Sequence, residues 1–374
     1  MKVAIHVDQL FFPAPGGIGT YIRNLVPALA AHDPSLELVL FHSRFASPEP
    51  PERWMRELWV EELPASIRSL YPRWATLGRP ALPSSLRSAD LVHATNPAAI
   101  PPAGEGQRLV VTVHDLAFER YPSMFPQRWR ALYRLGLRGA VRRADAIVTP
   151  SRNTAEDVLS RTKVDPRKLH VVPLAASLPS GSVDVADVIG RLKLRPPYVL
   201  SVGTIEPRKN LVRLVRAYRR VAATGVPHSL VLAGPLGWHH EALMRELALE
   251  GPGDIVMTGS LTPEELDVVY RAADVFAYPS LYEGFGLPVL EAMVRGIPAV
   301  ASNTSSLPEV TSDAALGVNP RSVREIATAI ASLCRDVELA ERLAARGRTQ
   351  AERFGWDETA RQTIEVYERV LGSK

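Results

Sequence analysis

Two glutamates in the segment SLYEGFGLPVLEAM, residues 280–293, are the first candidates for chemistry. Glu283 and Glu291 stand eight positions apart and bracket a glycine-rich turn. The run DVFAYPS just before them predicts a strand that ends near Pro279. GLPVLEAMVRG predicts a helix with Pro288 near its first position, where a missing N–H is tolerated. We therefore expect Glu283 on the strand-to-helix loop and Glu291 in the first turn of the helix.

The turn between the two carboxylates is suited to an anion. Free N–H groups around Phe285, Gly286 and Leu287 should point outward from the helix start, where a phosphate can bind. We expect the side chain of Phe285 to be exposed. Gly284 and Gly286 let a ligand approach the backbone. Carboxylates repel phosphate but accept hydrogen bonds from hydroxyl groups, so the pattern indicates hydroxylated rings on either side of a diphosphate, as in a nucleotide sugar. The alternative is a plain glycine turn with Glu291 as a partner of the helix dipole.

A second candidate is the segment GTIEPRKNL, residues 203–211, which also follows a predicted strand and precedes a predicted helix. Arg208 and Lys209 would neutralise a diphosphate and stabilise its departure as a leaving group. Asn210 is expected to cap the following helix. The alternative is a solvated basic turn.

A glycine-rich loop, PGGIGTYIRNL at 15–25, follows the first predicted strand. Gly16, Gly17 and Gly19 would allow a ligand close to the start of a helix. The dinucleotide fingerprint G-x-G-x-x-G fails because its last position is Ile22, and the second strand ends without the acidic residue that holds a ribose. The loop therefore argues against a nicotinamide enzyme, and a plain tight turn is the alternative.

The run VTVHD ends a further strand with His114 and Asp115. A histidine at the carboxyl end of a parallel strand faces the ligand-binding edge of the sheet and can bind a sugar hydroxyl. The alternative is a histidine with an internal partner, followed by an aspartate that caps a helix.

Short apolar runs alternate with helical patterns along the whole chain, which predicts an α/β fold with parallel sheets. Helical patterns include 19–32, 210–224 and 241–250. The predicted strands lie at 2–7, 37–41, 90–95, 108–115, 145–151 and 168–174 in the first half, and at 197–203, 229–234, 254–259, 274–280 and 297–302 in the second.

A break at 176–196 separates the two series of strands, so we expect two facing, Rossmann-like, doubly wound domains with a cleft between them. The predicted organisation is a first domain over 1–180, a linker over 181–196, a second domain over 197–355, and a C-terminal helix over 356–374 that could cross back to the first domain.

Composition is that of a globular protein, with 374 residues, 46% hydrophobic and 22% charged. The single cysteine, Cys334, cannot form a disulfide within the chain and fits a reducing compartment as a buried, inert thiol. No signal-peptide layout or transmembrane run is apparent, which favours a cytoplasmic location. The net charge of +4 permits an anionic ligand or membrane surface but is too weak to indicate a nucleic-acid partner.

The segment 127–145 combines a basic stripe with an amphipathic helical pattern. One interpretation is a surface helix that packs its apolar side, including Trp129, Leu132 and Tyr133, on the first domain. The other adds a peripheral contact with an anionic inner membrane leaflet that brings the enzyme to a lipid-linked acceptor. The stripe consists of arginines at four-residue steps: Arg130, Arg134, Arg138 and Arg142.

Together, the E-x7-E element at Glu283–Glu291, EPRKN at 206–210, the glycine loop and VHD resemble the retaining glycosyltransferases of family 4, which have the GT-B fold. The resemblance covers essentially the whole chain. It implies that Glu283 contacts the donor sugar, that Glu291 binds the ribose hydroxyls, and that the cations of 206–210 bind the pyrophosphate.

The resemblance also assigns roles outside these motifs. Gly17 would let the N-terminal loop approach the donor phosphate, and His114 would help to position the transferred sugar. The segment TGSLTPEELDVVYRAAD, 258–274, resembles the base-recognition segment, with the backbone near Leu261 facing the base. Many family members have Gly-Arg where this chain has Gly203-Thr204, so Arg208 and its neighbour would carry more of the phosphate charge.

The sequences GTIEPRKNL and SNTSSLPEV, 302–310, are most similar to those of bacterial O-antigen and mannosyl-type transferases. That favours GDP-mannose as donor, with a UDP-sugar as the alternative, and a glycan or lipid-linked acceptor. No metal-ligand spacing is seen, so we expect a metal-independent enzyme without a cofactor. The competing functions are a nucleotide-sugar epimerase of the same fold and a non-catalytic nucleotide-sugar-binding protein.

Overall fold

The computed structural model describes residues 1–46, 52–179, 181 and 183–372. Their contacts divide the chain into two compact units. We call Met1–Leu174 together with Gly355–Lys374 the N-terminal unit, and Ala175–Phe354 the C-terminal unit.

Within the described residues, the N-terminal unit is built around a seven-stranded, fully parallel sheet in the order β3-β2-β1-β4-β5-β6-β7. Its strands are β1 (Lys2–His6), β2 (Glu37–His42), β3 (Trp59–Glu62), β4 (Leu91–Ala94), β5 (Arg108–Thr112), β6 (Ala146–Thr149) and β7 (Leu169–Val171). The helices between them are α1 (Gly16–His32), α2 (Ile67–Leu77), α3 (Ser84–Arg87), α4 (Ala117–Arg120), α5 (Gln127–Arg143) and α6 (Arg152–Arg161).

The C-terminal unit has a six-stranded, fully parallel sheet in the order β10-β9-β8-β11-β12-β13, again among the described residues. Its strands are β8 (Tyr198–Val202), β9 (Ser229–Ala233), β10 (Ile255–Gly259), β11 (Val275–Tyr278), β12 (Ala299–Ser302) and β13 (Ala315–Val318). Its helices are α7 (Val185–Arg191), α8 (Leu211–Ala222), α9 (Glu241–Leu247), α10 (Pro263–Arg271), α11 (Leu287–Val294), α12 (Leu307–Thr311), α13 (Val323–Arg335) and α14 (Val337–Ala351).

The apolar strand pattern is explained by burial on both faces. Strands β8, β9 and β11 are buried along their whole length, because helices cover both sides of a doubly wound sheet. The two strands that the sequence pattern did not predict, β3 and β13, are the outer strands of their sheets and are partly exposed. WVEE contains two glutamates, and ALGV is only four residues long and includes a glycine, so neither gives the longer apolar run on which the prediction depended.

The C-terminal helix α15 (Trp356–Gly372) packs along α1 and belongs to the N-terminal unit. The hydroxyl of its buried Tyr367 lies 2.6 Å from Nδ1 of His93 on β4, and Thr359 donates to the Pro173 carbonyl at 2.8 Å. The region expected to be a linker, 181–196, contains α7, which packs on α10 and therefore lies in the C-terminal unit.

Candidate functional site

The strand order of the C-terminal sheet reverses between the neighbouring strands β8 and β11. The loop after β8 carries Glu206, Arg208 and Lys209, and the loop after β11 carries Glu283. Ligands of doubly wound sheets bind beyond the carboxyl ends of the strands at such a reversal. The two segments chosen from sequence are therefore brought together at the expected position.

Four charged side chains from these loops form one ion-pair cluster. Arg208 donates from Nη2 to Glu206 Oε1 at 2.7 Å and from Nη1 to Glu283 Oε2 at 2.6 Å. Lys209 donates from Nζ to the other oxygen of Glu283, Oε1, at 2.7 Å and also bonds to the Tyr278 hydroxyl. The side chains of Arg208 and Lys209 are only 12% and 11% exposed, which contradicts a solvated basic turn.

Glu206 and Tyr278 were not identified from the sequence as parts of this site. Glu206 lies within the quoted EPRKN segment, so its charge beside two cations was a signal that could have found it. Tyr278 ends β11, and the Lys209 ammonium lies 4.9 Å from its ring centroid. The two residues hold Arg208 and Lys209 in fixed positions, an arrangement suited to binding an anionic group.

Burial and charge act in opposite directions on the Glu283 carboxyl. Burial raises its pKa, but the charges of Arg208 and Lys209 outweigh burial and lower the pKa of Glu283 to about 2. Burial also lowers the pKa of Lys209, against the opposing effect of Glu283. With two carboxylates and two cations, the cluster is close to neutral, so any anionic ligand that binds here has to take over cationic hydrogen bonds that Glu283 accepts in this structure.

Low pH should decrease the free energy of unfolding, because Glu283 becomes protonated. Because its pKa is about 2 in the folded state and ordinarily 4.5, the unfolded chain binds this proton first. The stabilisation is complete above about pH 4.5 and is lost as the pH falls towards about 2. Urea unfolding across this range should show a shallower pH dependence of the free energy of unfolding for Glu283→Gln than for wild type. An unchanged slope would contradict the assignment, and the exposed Glu241→Gln is the matched control.

Two serines from the segment that follows β12 form hydrogen bonds to the loop that precedes α11. Ser305 accepts the Glu283 N–H at 3.0 Å, and Ser306 donates to the carbonyls of Glu283 and Phe285 at 2.9 and 2.7 Å. The expectation that Phe285 is exposed was wrong: it is buried, and its ring meets Phe354 edge-on at 5.7 Å. Phe285 therefore anchors the loop through its buried side chain.

Gly286 is the N-cap of α11 and has φ +119°. Gly284 and Leu287 beside it are buried, and the Leu287 N–H, at the first helical position, has no carbonyl one turn earlier in the helix to bind. An added Cβ at Gly286 would lie 2.6 Å from Leu307 Cδ2. The backbone thus needs glycine both for its conformation and for its close contact with α12.

Replacing Gly286 with alanine should destabilise the chain by about 1–3 kcal/mol, because the left-handed backbone and the overlap with Leu307 both carry a cost. Urea unfolding measures the change. Gly190→Ala in α7 is the control, since its Cβ would meet nothing within 4 Å and should be neutral or slightly stabilising. Equal stability of the two variants would contradict the role given to Gly286.

Glu291 lies in the second turn of α11, so its predicted position in the first turn was wrong. A carboxylate this far along the helix does not serve the N-terminal dipole. It accepts a hydrogen bond on Oε2 from the Tyr270 hydroxyl at 2.8 Å, and burial raises its pKa. Burial of an acidic group is disfavoured without a partner, and Tyr270 supplies one.

Two smaller expectations in this unit have different outcomes. Asn210 is the N-cap residue of α8, but its side chain does not cap the helix; it donates instead to the carbonyls of Pro279 and Pro320 at 2.9 and 2.6 Å. Asn210 thereby ties the loop after β8 to the loop after β11. Leu261 is half-buried between β10 and the capping box of Thr262 and Glu265 at the start of α10.

In the N-terminal unit, Gly16 and Gly17 form the exposed first positions of α1. A Cβ on either would meet nothing within 4 Å, and Gly16 has φ +60°. The space above this loop is therefore open to a ligand, which a turn closed by packing would not provide. The third glycine, Gly19, is instead buried close to Pro15 and serves the packing of the helix.

His114 and Asp115 follow β5 and have internal partners. Nε2 of His114 lies 2.9 Å from the Thr95 carbonyl, so this nitrogen carries the proton, and burial lowers the pKa of His114. The ring of Tyr21 from α1 meets His114 edge-on at 4.9 Å. Asp115 accepts the Ala117 N–H at 2.8 Å at the start of α4. This arrangement leaves Nδ1 as the acceptor atom of a neutral His114.

The arginine stripe of α5 divides into two pairs. Arg134 forms a bidentate ion pair with Glu119 at 2.7 and 2.9 Å, and Arg130 donates to the Pro122 carbonyl at 3.3 Å. Arg138 and Arg142 are exposed. The apolar side of α5 packs on the N-terminal core, as one interpretation predicted, although Trp129 is 36% exposed: Leu132, Tyr133, Leu137, Ala140 and Val141 make these contacts.

Among the described residues, no group of three or more histidine, cysteine, aspartate or glutamate side chains is arranged to hold a metal ion. None of the helices in this part of the chain is long and apolar enough to cross a membrane.

Two family profiles match most of the chain. The profile described as Glycosyltransferase Family 4 matches residues 15–178, and that described as Glycosyl transferases group 1 matches residues 186–350. The chain is 31% identical to O-antigen chain mannosyltransferase B of Escherichia coli, over 98% of this chain and 99% of that protein. It belongs to glycosyltransferase family 4. A second relative, the MMP alpha-(1->4)-mannosyltransferase of Mycolicibacterium hassiacum, is 30% identical over 95% of both chains.

Solved structures place this family-4 glycosyltransferase in the GT-B fold. Sucrose-phosphate synthase from Thermosynechococcus elongatus superposes with a TM-score of 0.73 at 22% identity, covering 100% of both chains. Anabaena HepE, solved in complex with UDP-glucose, gives a TM-score of 0.73 at 18% identity and covers 99% of this chain and 100% of that one. The fold predicted from the sequence, with two Rossmann-like domains, is confirmed.

Proposed function

We propose that this glycosyltransferase moves a mannosyl group, with retention of configuration, from GDP-mannose to a hydroxyl of a glycan or lipid-linked acceptor. The observation that carries the proposal is the cluster of Arg208, Lys209 and Glu283 at the reversal point of the C-terminal sheet. Mannose is supported by the two relatives, both of which are mannosyltransferases. The UDP-glucose complex of HepE supports a nucleotide-sugar donor and makes UDP-glucose the first alternative donor to test.

In the proposed reaction, the bond between the sugar and the diphosphate breaks while the acceptor oxygen attacks the same face of the sugar, and the departing diphosphate takes the proton of the acceptor hydroxyl. Arg208 and Lys209 stabilise the charge that develops on the departing diphosphate. Glu283 accepts hydrogen bonds from sugar hydroxyls, Glu291 accepts them from the ribose, and His114 positions the sugar. We propose that the two cations perform this role without a divalent metal.

The activity is tested by incubating the protein with GDP-mannose or UDP-glucose and measuring release of the nucleoside diphosphate with and without mannosyl acceptors. Acceptor-dependent release of GDP, with an α-linked product from the α-linked donor and full activity in EDTA, supports the proposal. Conversion of the donor sugar without any acceptor would instead identify an epimerase. Binding of GDP-mannose without turnover on any acceptor would favour a non-catalytic binding protein.

We also propose a peripheral contact with anionic membranes through α5, centred on its exposed arginines. The variant Arg138→Gln/Arg142→Gln should bind anionic vesicles about 30-fold more weakly than wild type at low salt, because each basic residue near such a surface contributes about 1 kcal/mol. Co-sedimentation with anionic and neutral vesicles measures this.

The control for that experiment removes two exposed arginines from the C-terminal unit, Arg324→Gln/Arg342→Gln, and should bind like wild type. If wild type does not sediment with anionic vesicles at low salt, or if both double variants lose binding equally, the membrane contact through α5 is wrong and a soluble acceptor is favoured.

A further inference from the structure

A buried group of side chains connects the base-recognition segment with Glu291 and is not used by the proposed chemistry. Tyr270 and Asp267 lie on α10, the helix that begins just after Leu261, while Glu291 is on α11 and Arg295 is its C-cap residue. Arg295 donates from Nε and Nη2 to Asp267 Oδ1 at 2.9 and 2.7 Å. The side chains of Arg295 and Asp267 are 6% and 8% exposed, so these contacts are shielded from water.

Arg295 contacts both Glu291 and Tyr270. From Nη1 it donates to the Glu291 backbone carbonyl at 2.9 Å. The centre of its guanidinium lies 4.7 Å from the ring centroid of Tyr270. Arg295 thereby fixes the helix position of Glu291 and the ring plane of Tyr270 at the same time.

The Tyr270 hydroxyl has one hydrogen to donate, and the geometry assigns it to Glu291. Oε2 of Glu291 lies 2.8 Å away, whereas the Pro288 carbonyl is at 3.3 Å. The other oxygen, Oε1, accepts no hydrogen bond from the described part of the chain. One carboxylate oxygen is therefore held and the other remains to accept a ligand hydroxyl.

We infer that Tyr270, clamped by Arg295 and Asp267, is a positioning residue that orients the Glu291 carboxylate towards the ribose of the donor nucleotide. The inference rests on the proposed function, in which Glu291 binds the ribose. It extends that function by assigning ribose selectivity to a side chain on the base-recognition helix. Contacts with the base and with the ribose are then coupled through one rigid pair of helices.

The test uses GDP, 2′-deoxy-GDP and 3′-deoxy-GDP as probes and measures their dissociation constants by calorimetry. Wild type should prefer GDP over at least one deoxy analogue. Tyr270→Phe should bind GDP roughly ten- to a hundredfold more weakly, the value of a hydrogen bond to a charged group, and should bind that analogue with little change. The preference for the ribose hydroxyl should therefore largely disappear.

Tyr218→Phe is the matched control, because it removes another buried hydroxyl of the same unit. The Tyr218 hydroxyl lies within hydrogen-bond distance of the carbonyls of His228 and Asp254. This variant should retain the ribose preference. If Tyr270→Phe does not fold, Asp267→Asn, which loosens Arg295, should show the same loss of preference.

Two outcomes would overturn the inference. If Tyr270→Phe weakens GDP and both analogues by the same factor, or leaves all three unchanged, Tyr270 does not orient Glu291 although ribose recognition stands. If wild type itself does not distinguish GDP from either analogue, the assignment of Glu291 in the proposed function fails and the inference fails with it.

Discussion

Lys209→Ala and Arg208→Ala are each expected to lower kcat/KM about 30- to 1,000-fold, equivalent to about 2–4 kcal/mol of transition-state stabilisation. Both side chains are nearly buried and fixed by hydrogen bonds at the carboxyl ends of β8 and β11. Fixed cations in a shielded site stabilise developing negative charge without having to reorganise during the reaction. Steady-state kinetics with GDP-mannose and a mannosyl acceptor provides the measurement.

Arg216→Ala is the matched control for these two variants, since it removes a largely exposed arginine of α8 that pairs with Glu246 on α9. Its kcat/KM should stay within a few-fold of wild type. Turnover near the wild-type level in both Lys209→Ala and Arg208→Ala would exclude these residues from the leaving-group site.

Glu283→Gln is expected to give two effects of opposite direction on function. Turnover should fall by about two orders of magnitude or more, because the carboxylate that we propose contacts the reacting sugar has lost its charge. Affinity for GDP should increase by on the order of tenfold, since Arg208 and Lys209 lose an internal acceptor that competes with the diphosphate. Removing one partner of the buried ion pairs should also lower the free energy of unfolding by about 3–5 kcal/mol.

Kinetics, calorimetry with GDP and urea unfolding separate these effects. Glu291→Ala is the informative comparison, because it should weaken donor binding and leave kcat closer to wild type, as expected for a contact with a part of the donor that does not react. If Glu283→Gln mainly weakened donor binding and Glu291→Ala mainly lowered kcat, the roles of the two glutamates would be exchanged. Weaker GDP binding in Glu283→Gln would contradict competition between Glu283 and the diphosphate.

The sequence predicted all of the inner strands but missed two of the four outer ones, β3 and β13. Inner strands that are buried on both faces form apolar runs, whereas WVEE of β3 contains two glutamates and ALGV of β13 is a short, partly exposed segment. Glu291 was misplaced for a different reason. The predicted start of α11 was right to within a residue, but with Gly286 as the N-cap Glu291 is the fifth helical residue, so it lies in the second turn and contacts Tyr270.

The pairing of Arg208 with Glu283 could not be derived from local pattern, because the two residues are 75 positions apart and meet only through the order of the strands. The sequence indicated that both loops lie at the ligand-binding edge. It could not indicate that Glu283 would already pair with both cations. The error on Phe285 has a similar origin, since its partner, Phe354, comes from just after α14.

The central claim is that the ion-pair cluster recognises the diphosphate of the donor, and the most direct measurement compares GDP with GMP. Calorimetry on wild type, Lys209→Ala and Arg216→Ala gives the ratio of the two dissociation constants for each protein. We predict that wild type and Arg216→Ala prefer GDP by at least about tenfold, the value of one charge-assisted contact, and that this preference collapses in Lys209→Ala. A GDP preference that survives unchanged in Lys209→Ala would contradict the claim.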